Sequence, residues 1–213
     1  MPQPKTTAPR PKKPPPPASR LGQSDWLDAA FAAVVEGGFD QARVLTVSKK
    51  LGVTRGSFYW HFSSHADLID ALLARWHARE VAVAEQLRAH HSAQPKADLL
   101  HLLQVALAHA GADLQNMRFE LALRGLGRRD PKVAQLLTQV DQMRMALFEE
   151  KFLRLTGNPQ TAADLAGLFY LALVGCYQAL SRPNNPAHAE QHLMRLISEY
   201  LVNPHQAAST QAA

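Results

Sequence analysis

Residues 49–62, KKLGVTRGSFYWHF, restrict the possible folds of this chain more than any other stretch. Two short amphipathic runs meet at Gly52, and so little sequence separates them that only a tight helix-to-helix turn fits. In the first run Val44, Val47 and Leu51 recur at i, i+3 and i+7 and face inward, while Lys49 and Lys50 point outward. Gly52 suits the left-handed conformation that such a turn requires. Val53 is the buried residue of the turn, and Thr54 caps the second run. That run lasts about two turns, residues 54–60. At 100° per residue Arg55 and Tyr59 lie within about 40° of each other, flanked by Gly56 and Trp60. Phe58 points back toward Val53 and Phe62. One side is basic and aromatic, and the other is core, with Trp60 and Phe62 expected as packing residues. A basic helix after a tight glycine turn is the helix-turn-helix arrangement, whose second helix enters the major groove of DNA.

Charge placement agrees with this. The formal net charge is +5, and residues 1–20 supply all of it through Lys5, Arg10, Lys12, Lys13 and Arg20 with no acid. Eight of the fourteen prolines also lie there, so the segment reads as a disordered, partly polyproline-II arm. In the neutral remainder, residues 41–66 carry Arg43, Lys49, Lys50 and Arg55 against no acid, a local excess that suits phosphate binding. The single cysteine, Cys176, excludes an internal disulfide, and no apolar segment follows the basic start as in a secretory signal. The expected location is the cytoplasm.

Upstream of the turn, Ser24 or Asp25 is placed to cap a first helix whose apolar stripe is Trp26, Leu27, Ala30, Phe31, Val34 and Val35. Gly37-Gly38 ends it, and Phe39 drops under it. Taken with Glu36-Gly37-Gly38-Phe39, the Leu51-Gly52-Val53-Thr54 turn, the string GSFYWHF and Asp67-Leu68-Ile69 beyond, residues 24–76 resemble the DNA-binding domain of TetR (tetracycline-repressor) family regulators. The resemblance implies an all-α fold. An N-terminal three-helix helix-turn-helix domain is joined by a long helix to a C-terminal helical ligand-binding and dimerisation domain. The boundaries read as an arm at 1–20, the DNA-binding domain at 21–66, the larger domain at 67–203 and a disordered tail at 204–213.

The resemblance also implies site roles. Arg55, Gly56, Ser57 and Tyr59 face bases, and Tyr59 and His61 reach phosphates. Arg43, Lys49, Thr54, Trp60 and His65 complete the DNA-facing set. Arg43 stands where a capping Thr or Ser is usual, Ser48 where Ala is usual, and His65 where a phosphate-binding Lys is usual. A protonated His65 would restore what the missing Lys supplies, strengthening DNA binding at low pH.

Beyond the motif, Ser64 and Asp67 form a capping-box start for a fourth helix running to about His90, whose two halves serve two cores. A fifth helix begins at Gln94-Pro95, a short sixth spans 119–126, and a seventh runs from Pro131 to about Leu155. The stretch 165–180 is apolar nearly all round and uncharged, and at that length is too short to span a membrane. A helix apolar on every face is buried on every face. Together with a ninth helix at about 187–202 it reads as a dimer interface of Leu165, Phe169, Ala172, Cys176, Leu180, Leu193, Leu196, Ile197 and Tyr200. The ligand pocket implied by the resemblance falls where helices five to eight converge, with His101, Val105, His109, Phe119, Leu123, Met143, Leu147, Phe169, Leu173 and Tyr177 as candidates. The expected effector is a mostly apolar small molecule.

Histidine spacing supports no metal site, no cofactor motif occurs, and no catalytic constellation stands out. The expected protein is a homodimeric regulator that binds double-stranded DNA at a near-palindromic operator, as a ligand-responsive repressor and not an enzyme. The alternative is a helical ligand-binding or interaction protein without sequence-specific DNA binding, which the residues at Arg43 and His65 would favour.

Overall fold

A computed structural model describes residues 21–111, 114–180 and 189–204, and the side chains of these except 107–111, 180 and 189–190. The proline-rich arm, residues 205–213 of the tail, and the side chains of His109 and Leu180 lie outside that set. The described chain is helical, with no strand. Its helices are α1 (Gln23–Gly37), α2 (Val44–Lys50), α3 (Arg55–Phe58), α4 (His65–Ala89), α5 (Pro95–Gly111), α6 (Leu114–Gly127), α7 (Pro131–Thr156), α8 (Pro159–Leu180) and α9 (Ala189–Ile197). A single 3₁₀ turn, Phe39–Gln41, links α1 to α2, and a π turn, Ser198–Val202, extends α9.

Local chemistry sets most of the boundaries. The α1 cap is Gly22 rather than Ser24 or Asp25. Asp25 occupies the third helical position and accepts the Gly22 N–H at 2.7 Å. Gly52 has φ +67°, the left-handed region that the α2–α3 turn needs. Ser64 accepts the Asp67 N–H at 3.1 Å and Asp67 accepts the Ser63 N–H, closing the box before α4. The Ser63 and Ser64 hydroxyls hold the Asp67 carboxyl below the usual carboxylate range. Asp130 caps α7 through the Lys132 and Val133 N–H groups, and left-handed Gly157 ends it. Asn158 Oδ1 accepts the Thr161 N–H at 3.0 Å, so α8 starts at Pro159, six residues before its apolar run. α6 likewise begins at Leu114 instead of Phe119, because its polar first turn hides the start.

The two apolar cores do not divide at residue 66. Trp26, Ala30, Val34, Val47, Phe58 and Phe62 pack with Leu68, Leu72 and Trp76 of α4, and this same core continues into Phe119 and Leu123 of α6 and Val133, Leu137 and Val140 of α7. The Phe119 ring stacks on Phe31 at 4.9 Å and lies 5.6 Å from Phe39. The second core joins Ala84 and Leu87 of α4 to α5, α7 and α8 around Leu99, Leu103, Phe148, Phe152 and Phe169. Lys151, on α7, fastens the α4–α5 corner, donating to the His90 carbonyl at 2.8 Å and to Asp98 at 3.1 Å. Arg154 also donates to Asp98 and to the Ser92 carbonyl. Burial would raise the Asp98 carboxyl, but Lys151 and Arg154 outweigh it and hold it low.

Helix α8, at 22 residues, is long enough to cross a membrane, so length does not exclude that reading. Its packing decides instead. Ala162, Leu165, Ala166, Phe169, Leu173, Cys176 and Tyr177 form one inward face lying along the body core. The opposite face is exposed, which corrects the expectation of burial all round: Leu168 is 55% and Leu171 70% exposed, with Gly175 and Ala179 on the same side.

Candidate nucleic-acid interface

The outward surface of α3 is built from Phe58. Its ring is fully buried, edge-on to Trp26 at 5.4 Å and stacked on Phe62 at 5.5 Å. That anchor fixes the rotation of α3, which has only four residues and could not hold its orientation alone. Around the other side Arg55, Gly56, Tyr59 and Trp60 all face solvent. Tyr59 is 53% exposed and its hydroxyl lies 3.5 Å from Arg55 Nη2. Trp60 is 88% exposed, not a packing residue as expected, since the chain leaves the helix at Phe58 and turns its indole outward.

The fold makes little use of these groups. A Cβ added to Gly56 would meet only Thr54 Oγ1, at 3.8 Å, and its φ is ordinary, so packing does not demand glycine there. Thr54 occupies the α3 cap position but its side chain makes no cap bond, and Arg43 does the same for α2. Ser48 is buried and back-bonds to the Val44 carbonyl at 2.7 Å, away from the surface. Ser57 and His61 are half-buried, His61 tilted against the Trp26 ring at 6.1 Å.

Two sequence expectations change here. Lys50 is engaged by Glu36 of α1 at 2.6 Å, so Arg43, Lys49 and Arg55 carry the basic character of this surface. His65 Nε2 lies 2.9 Å from the Ala42 carbonyl, which can only accept. The imidazole therefore fastens the start of α4 to the turn before α2, and its Nε2–H is committed to that bond.

The body holds a cavity of about 620 Å³, including its open mouth, between α4, α5, α6, α7 and α8. Leu147, Leu173 and Tyr177 line it, as the sequence suggested. Its other walls are Glu80, Val83, Ala84, Leu87, Ala106, Asn116, Met117, Glu120, Arg144 and Phe148. The remaining candidates are elsewhere. Phe119 and Leu123 belong to the head–body core, Met143 bridges the two cores, and Phe169 packs edge-on to Phe148 at 4.8 Å. Val105 packs against the body core outside the cavity wall, and the His101 ring lies against His90 at 3.8 Å. Among the described residues no group of three His, Cys, Asp or Glu side chains could hold a metal ion.

Of the residues proposed for a dimer contact, Leu165, Phe169, Cys176 and Ile197 face inward, Ala172, Leu193 and Leu196 are half-buried, and Tyr200 is exposed. An all-apolar helix gives no sign of which side α7 will cover, so the outward pair Leu168 and Leu171 was missed.

Charge at one end of the cavity was also missed. Glu120 accepts from Arg124 Nε and Nη2 at 3.0 and 2.8 Å and from Arg144 Nη1 and Nη2 at 3.0 and 2.8 Å. Arg144 Nη2 also donates to Glu80 at 2.7 Å, tying α4 to α6 through α7. Arg124 continues to Asp141 at 2.8 Å and to the Tyr170 hydroxyl, which in turn donates to Asp141. Burial would raise the Glu120 carboxyl, yet the two guanidiniums hold it below its ordinary value. Burial and the Asp141 bond push the Tyr170 phenol up to about 12. The signal was there: Trp76-Glu80-Ala84, Met117-Glu120-Leu123 and Val140-Arg144-Leu147 each set one charge in an apolar stripe at helical spacing.

Residues 27–72 match the family model described as bacterial regulatory proteins, tetR family. Over 56 residues, 26% of each chain, the protein is 39% identical to the HTH-type transcriptional regulator SrpR of Pseudomonas putida. It is 30% identical over 77 residues to the regulator TtgR of the same species, covering 36% of this chain and 37% of TtgR. The chain thus spans well under half the length of these relatives. A solved transcriptional regulator from Rhodococcus sp. Rha1 superposes with a TM-score of 0.68 at 20% identity, over 85% of this chain and 96% of that one. A second, from Saccharomonospora viridis in complex with choline, gives 0.66 at 19%, over 84% and 96%. These two likenesses establish the shared fold, head and body together. Residues 27–72, with GSFYWHF at their exposed end, thus form a helix-turn-helix domain of the tetR type found in bacterial regulatory proteins.

Proposed function

We propose that the protein is a sequence-specific DNA-binding transcriptional regulator that acts in the cytoplasm as a homodimer, a ligand-responsive repressor of a near-palindromic operator. The observation that carries this reading is the surface of Arg55, Gly56, Tyr59 and Trp60, exposed on a helix whose rotation is fixed by buried Phe58. The fold leaves these groups outward, and an Arg presented this way suits bidentate pairing with guanine. Arg43, Lys49, Thr54, Ser57 and His61 border it and serve as phosphate and sugar contacts. His65 acts indirectly, by holding α2 against α4.

Dimerisation supplies the second half-site. Leu168, Leu171, Gly175 and Ala179 lie at i, i+3, i+7 and i+11 on the outer face of α8, and Tyr200 is exposed beyond α9. A mostly apolar effector in the body cavity would act on α4, which runs from the head core at Leu68–Trp76 to the cavity wall at Glu80–Leu87. Selection from random double-stranded DNA tests the reading. The expected product is a palindromic consensus, with Arg55→Ala weakening binding by about 1–3 kcal/mol and Leu171→Asp giving a monomer in solution. No consensus, with Arg55→Ala indistinguishable from wild type, would favour a ligand-binding or interaction protein without sequence-specific DNA binding.

A further inference from the structure

Glu80, Glu120 and Arg144 at the polar end of the body cavity belong to a linked set of five charges completed by Arg124 and Asp141. Among the described residues Glu80, Glu120 and Asp141 pair only with Arg124 and Arg144, leaving one negative charge in excess. The excess is not evenly spread. Glu120 accepts four guanidinium N–H bonds, and Asp141 accepts two from Arg124 and one from Tyr170. Glu80 accepts one, on Oε2, from an Arg144 that also serves Glu120. Glu80 lines the cavity, and Val83, Leu87, Leu147 and Phe148 form an apolar wall beside it. A carboxylate with unused acceptor capacity, facing a space walled by hydrocarbon, attracts a cation far more strongly than it would in water. An anion would have to draw Arg144 away and leave a carboxylate unpaired, which is costly away from solvent. A neutral hydroxyl can donate a hydrogen bond to Glu80 but brings no charge to offset the excess.

We propose that the cavity takes an organic cation with an apolar body, its charged head against Glu80 and its body along Val83, Leu87, Leu147 and Phe148. This rests on the reading of the chain as a ligand-responsive regulator and names the effector's chemical class. Glu80 follows Trp76 by one turn on α4, so a cation that draws on Glu80 loosens the Arg144 tie on the helix that carries the head.

Three probes of matched length separate the possibilities: hexyltrimethylammonium, 1-hexanol and hexane-1-sulfonate. Each is titrated calorimetrically into the full-length protein without DNA. The cation is expected to bind at least about tenfold more tightly than the alcohol, and the sulfonate most weakly. Glu80→Gln, checked for an unchanged melting profile, should abolish the cation's advantage while leaving the alcohol's affinity within about twofold. If that variant does not fold, the ranking of the three probes on the wild-type protein decides alone. Equal or tighter binding of the alcohol or the sulfonate overturns the proposal, as does the absence of heat with all three. Operator binding is measured separately. DNA binding that persists beside a failed cation preference rejects only the effector class, and a cation preference in a protein that binds no DNA sequence rejects only the regulator reading.

Discussion

The head and the body treat polar side chains in opposite ways. In the head, the core is aromatic and uncharged, and Arg43, Lys49, Arg55 and Tyr59 stand outward with few intramolecular bonds. In the body, Glu80, Glu120 and Arg144 are turned inward and paired with one another, as are Asp98, Lys151 and Arg154. Under the proposed function this division has a physical reason: donors left free on a surface suit a polyanion, and charges paired inside a cavity suit the discrimination of small molecules. The two meet at adjacent residues of α6, since Phe119 belongs to the head core and Glu120 to the cavity.

That junction is where the comparison breaks most easily. Phe119→Ala removes the ring stacked on Phe31 and should destabilise by about 3–5 kcal/mol. If head and body share one core, calorimetry will show a single transition moved to lower temperature, and two separated transitions would mean that the halves fold independently. Next in size is Glu120→Gln, which strips one carboxylate from the nearly buried Arg144 and the half-buried Arg124 and should cost about 3 kcal/mol near neutral pH. Because the native Glu120 carboxyl titrates below its ordinary value, its contribution is complete above that value and fades as the pH falls through the native one. Denaturant melts of wild type and variant should therefore converge as the pH falls from the ordinary glutamate value through the lower native one. A gap that does not narrow as the pH falls below the ordinary glutamate value would show that charge pairing is not the cause.

The smallest expected effect on stability is the sharpest test of the head. Gly56→Ala, with room for its Cβ, should leave the fold intact or stabilise it by about 0.5–1 kcal/mol. Operator affinity should nevertheless drop about tenfold if, as proposed, bases approach this side of α3. Unchanged DNA affinity in a fluorescence-anisotropy titration would mean that this side of α3 does not enter the groove.

Legibility followed the range of the interactions involved. The turn at Gly52, the Ser64–Asp67 box, the Asp130-Pro131 start of α7 and the division of α3 into core and outward sides are set by residues within a few positions of one another, and each could be read directly. Trp60 was misjudged because an aromatic is usually buried, and only the early end of α3 at Phe58 shows that it is not. Lys50 lost its place in the basic set because Glu36 reaches it from fourteen residues away. The same limit hid the cavity: three charges on α4, α6 and α7 are each ordinary alone and form a site only when those helices pack.

By itself, then, the amino-acid sequence determined the helix-turn-helix and the division of α3 into a core side and an outward side, because local periodicity and turn chemistry specify them. Tertiary structure alone decided which side of α8 stays open, where Phe119 packs, and that Glu80, Glu120 and Arg144 meet at one end of a cavity. Those outcomes depend on which helix faces cover one another, and an all-apolar helix or a solitary buried charge carries no local record of its partner.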